Sequence, residues 1–206
     1  LRGKIGSVNR FGSISEMGLR LSLRRLGIDP EKDVTIVPAG GNPERLASIS
    51  RGISQFTIMS EPFVREAEKL GLRNLVSMAN LKIPLHGNGV VTREAIIKNK
   101  RPMVAKFVRG ITEAIYFIKN DKESTKAIIG KYTRFTDPEG LERTYRNHVG
   151  VLLDVPYADP VGIKTLLDDM APRNPKAAAA DPKAFVDASF VHEMETSGFL
   201  KQLQKR

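Results

Sequence analysis

Three times within its first eighty residues the chain repeats one pattern: a short β-branched run, a loop of Gly, Ser, Asn or Pro, and an amphipathic stretch of helical period. Ile5 and Val8 mark the first run, Val34-Thr35-Ile36-Val37 the second and Phe56-Thr57-Ile58-Met59 the third, with Leu75-Val76-Ser77-Met78 reading as a fourth. Strands that return every roughly 20 to 30 residues with helices between them predict a mostly parallel sheet covered by helices, because only a crossover helix can bring the chain back in the same direction. This constraint fixes the fold class as α/β before any single motif is considered.

The helices carry their own punctuation. The first has apolar residues at Met17, Leu19, Leu21, Leu23 and Leu26, with Ser13 or Ser15 as its N-cap, and Gly27 followed by Pro30 ends it. Asn42 and Pro43 open a second helix over residues 44–51, and Ser60-Glu61-Pro62 opens a third that stops at Gly71. Ligands of open parallel sheets sit beyond the carboxyl ends of the strands. Residues 9–15, 39–44 and 60–63 occupy those ends, and each leads into a helix whose first N–H groups lack helical acceptors. Three such starts predict a polar cleft, although every α/β sheet needs loops there. Arg10 either gives a charged hydrogen bond to a carboxylate or sulfonate or is a surface arginine, and Phe11 either stacks on a ligand or caps the core.

From Leu81 the texture changes. Lys82 to Gly89 holds the turn residues of a crossover, and Val90-Val91-Thr92 reads as a short strand. The rest is helical. Residues 100–119 place Met103, Phe107, Ile111, Ala114, Ile115 and Ile118 on one face. Asp121, Asp137-Pro138 and Asp159-Pro160 each begin a further helix, residues 174–181 read as a turn or loose helix, and Phe185 to Leu203 as a final docking helix and tail. One clear strand and five or so helices make an incomplete domain, so the chain reads as one whole α/β lobe and the helical half of another. It opens at Leu1 and enters a strand almost at once, which predicts residues upstream.

Composition excludes several chemistries. Without cysteine there is no disulfide scaffold, thiolate metal site or cysteine nucleophile. His86, His148 and His192 have no metal-ligand spacing, so no metal is expected. Asp168-Asp169 pairs with no partner suited to acid–base work, Ser13 and Ser60 lack a nucleophile-elbow context, and no lysine follows Gly40-Gly41 as a phosphate loop requires. The spacing of Gly3, Gly6 and Gly12 is not a dinucleotide fingerprint. The net charge of +10 is spread along the chain rather than gathered on a recognition helix, and aromatic residues are sparse, so no nucleic-acid partner is expected. No apolar run is long enough to span a bilayer.

The run GKIGSVNRFGSISEMGLRLSLRRLGIDPEKDVTIVPAGGNPERLASISRG resembles the periplasmic substrate-binding proteins of ABC importers, in the branch that binds sulfonates, nitrate and thiamine precursors (SsuA/THI5-like, NMT1). SEPF, KFVRGITEAIYFIKNDKESTKAIIGKYT, DPEGLERTY and FVDASFVHEMETSGF extend the resemblance over the whole chain. It implies a type II periplasmic-binding-protein-like fold of two lobes with mostly parallel sheets covered by helices, the first lobe incomplete here. Residues 1–82 would then be the complete second lobe, 83–92 the crossover or hinge, and 93–206 the helical remainder of the first lobe. The implied function is capture, without catalysis or cofactor, of a small organic anion or heterocyclic solute between the lobes and its delivery to a membrane permease. The implied location is periplasmic or otherwise extracytoplasmic. By position the ligand-facing residues would be Arg10, Phe11, Gly12 and Ser13, then Gly40, Gly41 and Asn42, then Ser60, Glu61 and Pro62. Ile53-Ser54-Gln55-Phe56 stands where the family has a Val-Asp-Ala type of sequence, and Glu61 stands where relatives have a small residue or proline and would repel an anion if it faced the cleft. The alternatives are a thiamine-pyrimidine-synthase-like enzyme, whose cysteine motif this chain lacks, and a cytoplasmic small-molecule sensor domain.

Overall fold

A computed structural model provides the fold, with residues 1–205 described. The chain divides into two units, Leu1–Pro84 and a second from Leu85 onward. The first unit alternates strand and helix: β1 (Ile5–Val8), α1 (Ile14–Arg25), β2 (Thr35–Pro38), α2 (Asn42–Ser50), β3 (Phe56–Thr57), α3 (Phe63–Lys69) and a 3-10 turn at Met78–Leu81. The three strands form one parallel sheet in the order β2-β1-β3, with Ile5 opposite Thr35 and Gly6 opposite Phe56.

Being central, β1 is covered on both faces, and its two innermost residues differ in kind. Val8 packs with Leu19 and Leu23 of α1 and with Phe56, while Ile28, Val34, Ile36 and Ile58 close the cluster from its edges. The neighbouring side chain, Ser7, points to the other face and accepts a hydrogen bond from Ser54 at 3.0 Å. Ser54 in turn meets Ser48 of α2 at 3.0 Å. One face of this sheet is therefore apolar under α1 and the other polar under α2. Gly6 has no room for a side chain, because a Cβ there would strike the Phe56 ring.

The fourth expected strand does not form: residues 75–77 are coil that leads into the 3-10 turn, and Leu75 is exposed. A strand needs a neighbour to take its N–H and C=O groups. The sheet edge beyond β3 offers two residues, Phe56 and Thr57.

The second unit is helical: α4 (Glu94–Asn99), α5 (Arg101–Asn120), α6 (Lys122–Thr133), α7 (Pro138–Val149), α8 (Pro160–Met170), α9 (Pro175–Ala178), a 3-10 turn at Pro182–Phe185, α10 (Ser189–Thr196) and α11 (Phe199–Leu203). The expected caps work as read. Asp121 accepts from the N–H of Ser124, Asp137 from Gly140 and Asp159 from Val161, at 3.0, 3.0 and 2.8 Å. The expected single final helix is two, broken at Gly198, whose φ of +75° is left-handed. The core is made by α5, α10 and α11 through Tyr116, Val191, Met194, Phe199, Leu200 and Leu203.

Two expectations for this unit need correcting. Residues 90–92 form no strand, and Val91 is 91% exposed, because the unit contains no other strand among the described residues to pair with. On α5 the expected face is buried at Ile115, beside Val104, Thr112 and Tyr116, whereas its Met103, Phe107 and Ile111 lie exposed. The docking of α10 and α11 decides which side of α5 is covered, and it selects the side next to the stripe expected from periodicity.

Candidate functional site

The three loops that follow β1, β2 and β3 lie along one edge of the parallel sheet, and main-chain hydrogen bonds tie the first two together. The N–H of Ala39 donates to Val8 O at 2.8 Å, and that of Gly40 to Asn9 O at 3.0 Å. Side chains tie the second to the third: the Asn42 amide donates to Ser60 Oγ at 3.1 Å. Two positions in these loops need a left-handed backbone, Gly12 (φ +75°) and Gly40 (φ +96°), which explains glycine there. The structure thus brings Gly40, Gly41, Asn42 and Ser60 into one cluster beside the turn that carries Arg10, Phe11, Gly12 and Ser13.

Each helix start has a carboxylate of its own. At α1, Ser13 is the N-cap and accepts from Glu16 N at 3.3 Å, while Ser15 accepts from Asn9 N at 3.0 Å. The Glu16 carboxylate takes the N–H of Gly12 at 2.6 Å and the Arg20 Nε at 2.8 Å. Arg20 is buried, which by itself lowers its pKa, but the Glu16 hydrogen bond and the nearby Glu31 charge raise it overall. At α2 the Glu44 carboxylate lies over the glycine turn: a Cβ on Gly41 would stand 2.9 Å from Glu44 Oε2. At α3, Glu61 is turned inward, 8% exposed, with Oε2 accepting from Arg65 N at 3.3 Å. The partial positive charge of all three helix starts therefore meets a carboxylate within the chain.

The remaining residues divide by exposure. Arg10, Phe11 and Ser60 are exposed, Ser13, Gly40, Gly41 and Asn42 half-buried, and Glu61 and Pro62 buried. Phe11 lies outside the core, which leaves its ring available to a ligand.

One residue that the sequence reading passed over stands out. Arg45, in the first turns of α2, is 5% exposed, and its Nη2 donates to Asn42 Oδ1. Its Nε and Nη1 have no acceptor among the described residues. Burial lowers its pKa, and the neighbouring Glu44 charge only partly opposes this. Nothing in the sequence distinguishes it from a solvent-facing helix arginine, whereas the Ser13-x-x-Glu16 spacing is a legible capping signal.

No group of three or more His, Asp or Glu side chains among the described residues is arranged to hold a metal ion. No helix of the described chain is long and apolar enough to cross a membrane. The model of the NMT1-like family matches residues 4–131, which takes in all three sheet-edge loops and their helices. No curated protein matches the chain.

Proposed function

The chain belongs to the NMT1-like family, and from that premise we propose that it is the solute-binding component of an ABC importer. It captures a small organic anion or heterocyclic solute and delivers it to a membrane permease, working outside the cytoplasm and without catalysis. The observation that carries this reading is the single loop cluster at the carboxyl edge of a parallel sheet. It lies wholly inside the family match and is hydrogen-bonded across strands rather than left as three separate turns. In this reading Arg10, Phe11, Gly12, Ser13, Gly40, Gly41, Asn42 and Ser60 face the solute. Glu61 and Pro62 support the third loop from beneath.

The same reading assigns residues 1–82 to one lobe, 83–92 to the crossover and 93–206 to the helical part of a second lobe. The exposed row of Met103, Phe107 and Ile111 on α5 supports the assignment, since a helix covered on one side only is what remains when a sheet-bearing half is supplied by other polypeptide. Capture then proceeds at the loop cluster of the first unit, with the permease recognising the solute-bound form.

The test is a thermal shift against a panel of small organic anions and heterocycles. At least one should raise the Tm saturably, and Ser13→Trp, which fills the turn between Arg10 and α1, should abolish the shift. A panel without any saturable binder would sink the reading.

A further inference from the structure

The helix over the polar face of the first unit's sheet buries a cation that the fold compensates only in part, through the neighbouring Glu44 charge. Arg45 is buried on α2 three residues before Ser48, which meets Ser54 and through it Ser7. Among the described residues its guanidinium has one hydrogen bond, to the neutral amide oxygen of Asn42, and its Nε and Nη1 are buried without acceptors. A guanidinium taken out of water without an anion is costly, and the same low dielectric makes an arriving anion bind it more strongly than it would bind a surface arginine.

The surroundings say where that anion comes from. The helix starts of the cluster are already met by Glu16, Glu44 and Glu61, and Arg10 is exposed to solvent. A polar relay leads from the exposed Ser60 hydroxyl to the half-buried Asn42 amide and on to Arg45, so the guanidinium is one side chain removed from the loop surface.

We propose that Arg45, rather than Arg10 or the helix dipoles, receives the oxyanion group of the solute. The inference rests on the solute-capture reading and names its charged subsite. An incoming carboxylate or sulfonate displaces the Asn42 carbonyl oxygen from Nη2 and draws the guanidinium toward the loops. The Asn42 amide and Ser60 hydroxyl then supply neutral donors. The empty site holds its cation at a cost and the filled site relieves it, which couples binding to a rearrangement of the loop after β2.

The full-length protein labelled with 15N in arginine side chains is titrated with acetate, methanesulfonate and inorganic phosphate. One Nε–H resonance, assigned as the one missing in Arg45→Lys, should shift saturably with at least one of the three. Calorimetry should show affinity for that anion falling at least tenfold in Arg45→Gln and staying within threefold in Arg51→Gln, an exposed arginine at the far end of the same helix. Loss of affinity in Arg10→Gln with an unmoved Arg45 resonance overturns the proposal, as does an Arg45 resonance that ignores all three anions. Saturable binding of neutral heterocycles alone overturns the Arg45 assignment and leaves solute capture standing, whereas no binding of any class overturns both. The resonance titration uses the unsubstituted chain, so it decides the matter even if Arg45→Gln misfolds.

Discussion

The two units treat their apolar helix faces in opposite ways. In the first, α1 lays Leu19 and Leu23 on β1, and Leu23 is 1% exposed. In the second, α5 buries one side against α10 and α11 and leaves a row at i, i+4 and i+8, of which Phe107 is 58% exposed. Both helices are amphipathic. The difference is that the first unit owns a sheet and the second has none among the described residues. An amphipathic stripe thus states what a helix requires, and the presence of a sheet in the same unit decides whether the requirement is met.

Substitutions can break or sharpen this contrast. The largest effect is expected at the buried pair of the first unit. Arg20→Met leaves the Glu16 carboxylate, as buried as its partner, without its cation and should cost about 3 kcal/mol or more in urea unfolding. Leu23→Ala should cost about 3 kcal/mol through lost burial and a cavity. In the second unit, Gly162→Val tests a close approach, because a Cβ there would lie 2.6 Å from the backbone N of His86. The expected loss is about 1–3 kcal/mol, read from Tm. Phe107→Ser should change stability by less than about 0.5 kcal/mol. If it costs as much as Leu23→Ala, the α5 row is covered in solution and the contrast fails.

The smallest effect is a pH dependence. The Ser189 hydroxyl and backbone N–H hold the Asp187 pKa below its ordinary value, with burial opposing and Arg101 assisting. A depressed carboxylate contributes stability above its unfolded pKa of about 3.9 and loses it as pH falls through the folded value. Wild-type stability should therefore decline more steeply below about pH 4 than that of Asp187→Asn, measured by melting at pH 2.5 to 6.

Local chemistry made much of this fold legible. Asp121, Asp137 and Asp159 announce helix starts because a cap bonds residues two or three positions ahead, and proline after two of them strengthens the signal. The β-branched runs at β1 and β2 are equally local. What failed was non-local. Residues 75–78 and 90–92 have strand-like composition, but a strand exists only where another strand lies beside it. The loops of the candidate site were legible as a set of three, but their charge balance was not. Glu44 and Arg45 are adjacent in sequence, and only the fold leaves one over the glycine turn and buries the other.

The sheet order has a kinetic consequence. β1 is made before either of its partners, yet it lies between them, with Ile5 paired to Thr35 and Gly6 to Phe56. No hairpin can prepay these pairings: two chain closures, one over some thirty positions and one over fifty, must precede any ladder. During synthesis β1 therefore stays unpaired until β2 has emerged and one-sided until β3 has followed. Deleting it would remove both ladders at once, whereas deleting β3 would spare the pairing of β1 with β2.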